Sequence, residues 1–361
     1  MPTAIVVKQI NGKPGQVYYP LASTTVPDPT PTSNQVKIKV LAASLNHRDL
    51  FIRQHLYPGI SFSVPLLADG CGIVTATGSS PAAKQWLGKR VILNPGLGWK
   101  DSVTGPEDPR GYQIVGGTKN NPLGTLQEVF CVDAGEVEEA PKAMSAVEAA
   151  AIPLTGLTAW RALFTKSKAM EKGNNILVTG IGGGVALMAL MFANAVGVNV
   201  YVSSGSEEKL KKAKELGAKG GVNYKEQGWE KKLLEMLPNE RKTLDAIVDG
   251  AGGDVVAMGV KLLKAGGVIV SYGMTIAPKM PWLMSAVIRN IEVKGSTMGS
   301  RKEFADMVKF CNEHNLKPVV SNVAQGLGLE GIDGLFTEMK NGSQFGKLVV
   351  EISKEGASSK L

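Results

Sequence analysis

The sequence predicts an α/β protein with two domains, one mostly β and one built on a doubly wound parallel sheet. The chain has 361 residues, which is more than a single hydrophobic core usually serves. Residues 1–140 contain short strand-like runs between turns, whereas helices and strands alternate from about residue 145. We therefore assign residues 1–140 and 286–361 to the mostly-β domain, and residues 141–285 to the parallel-sheet domain.

The mostly-β domain is predicted from apolar runs that are bounded by proline and glycine. Residues 96–124 between two of these runs form a long polar loop, and loops of this length are often functional. We expect the chain to leave the parallel sheet after about residue 285 and to return to this domain in a late strand. The strand candidates are Met1–Val7, Val36–Ser44, Gly72–Thr77, Arg90–Leu93, Thr125–Val132 and the late strand Lys347–Glu351.

A glycine-rich turn between two strands is the most informative segment of the parallel-sheet domain. The apolar run Asn175–Gly180 stops at glycine, the helix Leu187–Val196 follows the turn, and Val198–Ser203 is a second strand. The turn has the spacing Gly180-x-x-Gly183-x-x-Ala186, which departs from the usual G-x-G-x-x-G. Bare backbone N–H groups at a helix N-terminus can bind a pyrophosphate, so this βαβ unit predicts a dinucleotide site. Asp245–Asp249 and Gly267–Ser271 are the next buried-strand candidates.

The end of the second strand bears on which dinucleotide is bound. An NAD site usually has Asp or Glu there to hold the ribose 2′-hydroxyl. This chain has Ser203 and Ser204 instead, and Lys209 follows six residues after Ser203 within the next helical turn. Hydroxyls and an ammonium suit a 2′-phosphate, so the sequence favours NADP(H). Ser206 is also a good helix N-cap, which leaves Ser204 and Lys209 available for phosphate.

Composition places the chain among ordinary globular proteins. Hydrophobic residues make up 43% and charged residues 20%, and no apolar run approaches the ~18 residues of a membrane span. The net charge of +8 favours anionic ligands, but the basic residues are scattered, so nucleic-acid binding is not expected. The cysteines Cys71, Cys131 and Cys311 are far apart, which indicates reduced thiols and an intracellular compartment.

The chain ends in Ser359, Lys360 and Leu361. In a eukaryotic cell this tripeptide is a peroxisomal address, read by the import receptor. We therefore expect a peroxisomal protein if the source is eukaryotic, and a cytoplasmic one otherwise. The alternative is a chance match in a polar tail.

Three segments resemble the medium-chain dehydrogenase/reductase superfamily, and within it the zinc-free quinone oxidoreductase and enoyl reductase branch. They are Ala43–Pro58, Ala150–Trp160, and the glycine turn taken together with Lys214–Ala218. The resemblance implies a GroES-like catalytic domain and a Rossmann domain that binds NADP(H). It also implies a homodimer formed by pairing of sheet edges.

The departures from the zinc alcohol dehydrogenases of this superfamily predict that no metal is bound. Those enzymes have a catalytic Cys where this chain has Asn46, a His-Glu pair where it has Ala68 and Asp69, and a third ligand near Thr155. Their structural zinc is held by four cysteines in the region of residues 96–124, which here contains none. Zinc needs three or four clustered ligands. His47 and His55 make too few, and we expect them at the surface or on a pocket wall.

The resemblance also implies which residues form the site. We hypothesise that Asn46 and Tyr57 position the carbonyl or the nicotinamide, and that Tyr57 or water protonates the α-carbon. Asp49 and Arg53 are expected to pair with each other and to brace the pocket. The residues implied to contact the cofactor are Thr155, Thr158, Gly180, Gly183, Gly184, Val185, Ser204, Lys209, Tyr224, Gly273 and Lys347.

The sequence thus predicts an NADPH-dependent, zinc-independent oxidoreductase acting on enones, quinones or enoyl thioesters. Hydride addition to such substrates spreads the charge over an enolate, which hydrogen-bond donors can stabilise without a metal. Two alternatives remain open. One is an enzyme of the zinc alcohol dehydrogenase type, and the other is a non-catalytic NADPH-binding protein that senses redox state or binds RNA.

Overall fold

A computed structural model of the chain describes residues 1–276 and 279–355. The terminal Ser359-Lys360-Leu361 lies outside the described residues, so its targeting role stays a prediction. The chain divides into unit 1, Met1–Leu154 with Ser300–Leu361, and unit 2, Thr155–Gly299. Both divisions lie later than the predicted 140/141 and 285/286. The reason is that the helix Ala146–Ala150 packs on strands of unit 1, while the strand Glu292–Gly295 belongs to the sheet of unit 2.

The strands of the described residues are numbered along the chain. They are β1 Thr3–Val7, β2 Leu21–Thr25, β3 Gln35–Ser44, β4 Asp69–Thr77, β5 Arg90–Leu93, β6 Gly96–Leu97, β7 Gln113–Ile114, β8 Val129–Asp133, β9 Val137–Glu139, β10 Asn175–Val178, β11 Asn199–Ser204, β12 Gly220–Asn223, β13 Leu244–Asp249, β14 Leu263–Ser271, β15 Glu292–Gly295, β16 Val320–Gln325 and β17 Lys347–Glu351.

The helices are numbered in the same way. They are α1 His47–Arg53, α2 Pro81–Lys84, α3 Ala146–Ala150, α4 Pro153–Trp160, α5 Gly184–Ala195, α6 Glu207–Glu215, α7 Trp229–Met236, α8 Val255–Leu262, α9 Met284–Ile288, α10 Arg301–Glu313 and α11 Leu329–Asn341. A 3₁₀ turn spans Ala134–Glu136, and a π-helical segment Arg161–Ser167 continues α4. No described helix is long and apolar enough to span a membrane.

Unit 1 is built on a mostly antiparallel sheet. Its strands run in the order β16-β17-β3-β4-β5-β9, and β8 pairs with β3. The ten-residue β3 is long enough to pair with β17, β4 and β8 along its length. The predicted first strand, β3, β5 and the late strand β17 are confirmed. The predicted strand Thr125–Val132 begins only at Val129, because Leu126 is hydrogen-bonded instead to the backbone of Ile5 and Leu66.

Unit 2 is a parallel six-stranded sheet in the order β12-β11-β10-β13-β14-β15. The chain starts in the middle at β10, winds out to β12, and returns to β13 on the other side. The carboxyl ends of β10 and β13 therefore form the switch point at which such sheets bind ligands. The predicted exit from the sheet after residue 285 is wrong, since β15 pairs with β14. Its alternating Glu292, Val293 and Lys294 are typical of an edge strand and not of a buried one.

Candidate functional site

A buried hydrogen-bonded cluster in unit 1 joins three residues that are distant in sequence. We call Asn46, Asp69 and Lys347 the Lys347 cluster. Lys347 Nζ lies 2.7 Å from Asn46 Oδ1 and 2.9 Å from Asp69 Oδ2, and Asn46 Nδ2 donates to the same Asp69 oxygen at 2.9 Å. Asn46 caps α1, Asp69 opens β4 and Lys347 opens β17, so three elements meet there.

Further donors complete the surroundings of the Asp69 carboxylate. Ser44 Oγ lies 3.1 Å from Oδ2, and the Leu154 N–H donates to Oδ1 at 2.8 Å. The side chains of Lys347 and Asp69 are only 4% and 0% exposed. A charge this deeply buried is tolerated only when it is paired and hydrogen-bonded, as it is here. The predicted site residues Asn46 and Lys347 thus lie together, whereas the contact of Lys347 with a cofactor stays a prediction.

Asp49 supports the same corner from the first turn of α1. Its Oδ2 accepts the backbone N–H of Asn46 at 2.8 Å, and its Oδ1 lies 3.2 Å from Arg48 Nη1. Arg48 also donates to the carbonyl oxygens of Val115 and Gly116, at 3.0 and 2.8 Å. Burial outweighs the attraction of Arg48 and raises the pKa of Asp49 to about 6.

The predicted pair of Asp49 with Arg53 is wrong. Arg53 Nη1 instead forms an ion pair with Asp333 of α11 at 2.7 Å, and its guanidinium lies 4.0 Å from the centre of the Tyr18 ring. Spacing of four residues on a helix allowed the predicted pair. It did not form because Asp49 faces Arg48 and the Asn46 backbone, while α11 brings a second carboxylate to Arg53.

The Tyr57 ring contacts the side chain of Arg48, a residue of α1. The Arg48 guanidinium lies 4.7 Å from the centre of the Tyr57 ring, a cation–π distance. Tyr57 also lines a cavity of about 680 Å³ in unit 1 together with Tyr19, His55, Phe62 and Lys119. His55 is therefore on a pocket wall, as predicted, with Nδ1 at 2.9 Å from the Tyr19 hydroxyl. His47 is exposed, also as predicted.

The glycine turn of unit 2 opens directly onto α5. Gly180 and Gly182 have positive φ values of 66° and 120°, which L side chains rarely adopt. A Cβ at Gly182 would also lie 2.8 Å from Cδ of Lys209, so the lysine stem crosses close above the turn. Gly183 caps α5, and Gly184 and Val185 form its first turn. This arrangement leaves the helix N-terminus lined by backbone N–H groups, as the predicted pyrophosphate site requires.

The carboxyl end of β11 collects the polar groups predicted for a 2′-phosphate. Ser204 ends the strand, and its carbonyl oxygen accepts the Tyr224 N–H at 3.2 Å. A Cβ at the next residue, Gly205, would lie 2.9 Å from the Tyr224 hydroxyl and 3.1 Å from Lys225 Nζ. Ser204 and Tyr224, which were predicted separately, thus lie together at neighbouring strand ends, while Lys209 of α6 lies close to the glycine turn. Burial lowers the pKa of Lys209.

Sequence reasoning missed Lys225 as a member of this group. Lys225 could have been predicted, because it directly follows Tyr224 beyond the end of β12, the strand that pairs with β11. The nearby acid Glu207 is turned to another partner, since Asn223 Nδ2 donates to Glu207 Oε1 at 2.9 Å. The structure therefore places Lys225 beside Gly205, next to the residues predicted to hold a 2′-phosphate.

The remaining predicted cofactor residues of unit 2 lie in two places. Thr155 and Thr158 are buried on α4, and Thr158 Oγ1 lies 3.6 Å from Met298 Sδ. Gly273 follows β14 next to Gly250, whose carbonyl oxygen would lie 3.4 Å from a Cβ at Gly273. Gly250 follows β13, so Gly273 belongs to the carboxyl ends of the strands beside the switch point.

The residues present do not fit a zinc ion. Among the residues that the structure describes, no group of three His, Cys, Asp or Glu side chains could hold a metal. Asn46 and Asp69 already hold the Lys347 ammonium. In the loop of residues 96–124, Glu107 accepts the backbone N–H groups of Asp101, Lys100 and Ser102, which lower its pKa to about 2. A carboxylate organises this loop where zinc dehydrogenases use cysteines.

Comparison with known proteins gives matches over both units. The alcohol dehydrogenase GroES-like domain matches residues 32–142, and the zinc-binding dehydrogenase model matches residues 184–313. The zinc-type alcohol dehydrogenase-like protein YogA of Leptosphaeria maculans is 50% identical over 358 residues, 98% of this chain and 100% of that protein. The zinc-type alcohol dehydrogenase-like protein C1773.06c of Schizosaccharomyces pombe is 33% identical, over 80% and 83% of the two chains.

Solved structures give the same result. An NAD-dependent alcohol dehydrogenase is 32% identical with a TM-score of 0.82, over 98% of this chain and all of that one. The crotonyl-CoA carboxylase/reductase AntE, solved with NADP, has a TM-score of 0.82 at 19% identity, over 98% and 95% of the two chains, which shows the fold alone. The chain belongs to the medium-chain dehydrogenase/reductase superfamily of oxidoreductases. Unit 1 is its GroES-like domain and unit 2 its Rossmann domain for NAD(P), as the sequence predicted.

Proposed function

We propose that this chain is a zinc-independent, NADPH-dependent reductase of the C=C bond in α,β-unsaturated carbonyl, quinone or enoyl substrates. The observation that carries the proposal is the Lys347 cluster. Its amide and carboxylate, where zinc relatives are expected to bind metal, are bonded to an ammonium. An oxidoreductase without a Lewis acid loses its main means of polarising a simple ketone, whereas an enone needs only enolate stabilisation.

The residues of unit 1 supply donors for such a reaction. Bound NADPH would supply a hydride for the β-carbon of the substrate, and the residues of unit 1 would stabilise the enolate oxygen and deliver a proton to the α-carbon. Asn46 donates one amide N–H to Asp69 and retains a second for the enolate oxygen. Tyr57, beneath the Arg48 guanidinium, or a water molecule, delivers the proton.

NADP(H) is the proposed cofactor because of the groups at the carboxyl end of β11. The Ser204 hydroxyl, the Tyr224 phenol and two lysine ammoniums suit a phosphate dianion. A 2′-hydroxyl would instead call for a carboxylate acceptor, and Glu207 is held by Asn223.

An alcohol dehydrogenase reaction is the second candidate, favoured by the names of the relatives and of the NAD-dependent neighbour. The test is oxidation of NADPH and of NADH by chelator-treated protein against enones, quinones, enoyl thioesters and simple ketones. NADPH-specific turnover of conjugated substrates without metal is expected. Activity that returns only with zinc would favour the alcohol dehydrogenase. Tight NADPH binding without turnover of any substrate would favour a non-catalytic role.

We also propose a homodimer built on the edge of the unit 2 sheet. Within the part of the chain that the structure describes, β15 pairs only with β14, so its outer edge can accept a second strand. Exposed apolar side chains lie on β15 and in the segment before it, which suits burial against a second copy of the chain. They are Trp282, Met284, Val287, Ile288 and Val293, which are 38–75% exposed.

A further inference from the structure

The Lys347 cluster has a charge balance that bears on metal binding. The Lys347 ammonium is matched by the Asp69 carboxylate, and the nearby Arg48 is matched by Asp49. Both pairs are buried, where water does little to screen charges. A divalent cation bound at this site would be repelled by the Lys347 ammonium, and no further anion would balance its charge.

The oxygen atoms of the cluster that could bind a metal already accept hydrogen bonds. A carboxylate offers about four lone-pair positions. Asp69 Oδ2 lies 2.9 Å from both Lys347 Nζ and Asn46 Nδ2, and Oδ1 accepts the Leu154 N–H at 2.8 Å. Ser44 Oγ, 3.1 Å from Oδ2, shares its one hydrogen with the Ala150 carbonyl oxygen. Asn46 Oδ1 is turned to Lys347 at 2.7 Å. A metal ion that bound Asn46 Oδ1 and Asp69 Oδ2 together would take the position of the ammonium, which contacts both oxygens.

We infer that the Lys347 ammonium is the resident cation of this site and that it excludes a divalent metal from Asn46 and Asp69. The inference deepens the proposed function, because it gives a physical cause for zinc independence. The inference concerns only metal binding by unit 1. It does not depend on which organic substrate is reduced. Its test therefore needs neither cofactor nor turnover.

The first part of the test measures metal in the unmodified protein. The full chain is produced in zinc-supplemented medium, and the zinc content per chain is determined by mass spectrometry after desalting. Titration with Co²⁺ then reports binding through d–d absorption bands. We expect far less than one zinc per chain and no cobalt bands. One tightly held zinc or cobalt per chain that is lost when Asp69 is changed to Asn would overturn the inference.

The second part removes the ammonium and adds a better metal ligand. Asn46→Cys alone keeps Lys347 and should remain free of metal, whereas Asn46→Cys with Lys347→Met should gain cobalt binding with a thiolate charge-transfer band. We expect at least a tenfold difference in cobalt affinity. Asn46→Cys with Lys309→Met, which removes an exposed lysine of unit 1, is the control.

Equal cobalt affinity with and without Lys347 would show that the ammonium does not exclude metal. Circular dichroism checks that each variant is folded. If the variant without Lys347 does not fold, the zinc content of the unmodified protein decides the question. These metal measurements do not depend on reductase activity. A negative reductase assay would contradict the proposed function and leave the inference about metal exclusion standing.

Discussion

At the scale of single residues, the site in unit 1 is defined by how each buried charge is satisfied. Asp69 and Asp49 are both fully buried, but they have different partners. Asp69 faces an ammonium, an amide, a hydroxyl and a backbone N–H, whereas Asp49 faces one guanidinium nitrogen and one backbone N–H. Burial of Asp49 is therefore only partly compensated, and its ionisation opposes folding.

Asp49→Asn should change how stability depends on pH. The folded protein holds the Asp49 proton up to a pKa of about 6, against 3.8 for the ordinary group. Between these values the folded state binds more protons than the unfolded state, so the free energy of unfolding falls as pH rises. The raised pKa of Asp49 contributes about 3 kcal/mol to the free energy of unfolding. This contribution is present below pH ~4 and lost above pH ~6.

Urea unfolding of both proteins across this pH range tests the prediction. The variant should lack this component, so the difference between the two stability curves should change over this window. Parallel curves would show that Asp49 does not titrate there.

Lys347→Met should be strongly destabilising. It leaves the Asp69 carboxylate buried without its counter-charge, and breaking a buried pair in this way costs about 3–5 kcal/mol. Adding Asp69→Asn removes the orphaned charge and should recover part of the loss. A double-mutant cycle by urea unfolding measures the coupling. Strictly additive effects would contradict a direct interaction between the two charges.

At the scale of elements, the cofactor site depends on neighbouring parallel strands. β11 and β12 end side by side, and so Ser204, Tyr224 and Lys225 come together although 21 residues separate the first and last of them. A phosphate bound there is expected to contact residues that follow both strands.

Lys225→Ala should weaken NADPH binding by about fivefold and leave NADH binding unchanged, because one partly exposed charge contact is worth about 1 kcal/mol. Lys219→Ala, an exposed lysine just before β12, is the matched control. Dissociation constants follow from nucleotide fluorescence. Equal weakening of both nucleotides would place Lys225 elsewhere on the cofactor. An unmodified protein without NADPH preference would instead refute the 2′-phosphate assignment.

Local elements of this fold could be predicted from sequence, and long-range ones could not. The glycine turn between β10 and α5 has its whole signal within a few residues. The Lys347 cluster has no such signal, because Lys347 lies 278 positions from Asp69 and 301 from Asn46. The Asp49–Arg53 pair was mispredicted for a related reason, since the partner of Arg53 comes from α11. β15 was missed because an exposed edge strand resembles a polar connection.

At the scale of the whole molecule, the open edge of β15 predicts self-association. Val293 is 38% exposed on this edge. Val293→Asp places a carboxylate where a second copy is expected to pair, so the dimer should dissociate. Leu329→Asp changes a similarly exposed side chain of unit 1 and should keep the dimer.

Light scattering after size-exclusion chromatography gives the mass of each protein. An unmodified chain that elutes as a monomer at micromolar concentration would contradict the proposed dimer. A Val293→Asp variant that remains dimeric would move the interface away from β15.

The proposed reaction is tested most directly by a single turnover of metal-free protein with NADPH deuterated at C4 and an α,β-unsaturated ketone. Zinc content is measured on the same sample. A zinc-independent reductase should give deuterium at the β-carbon of the saturated product, formed at the same rate with and without chelator. No transfer until zinc is added, or deuterium at the carbonyl carbon of an alcohol product, would contradict a zinc-independent reductase.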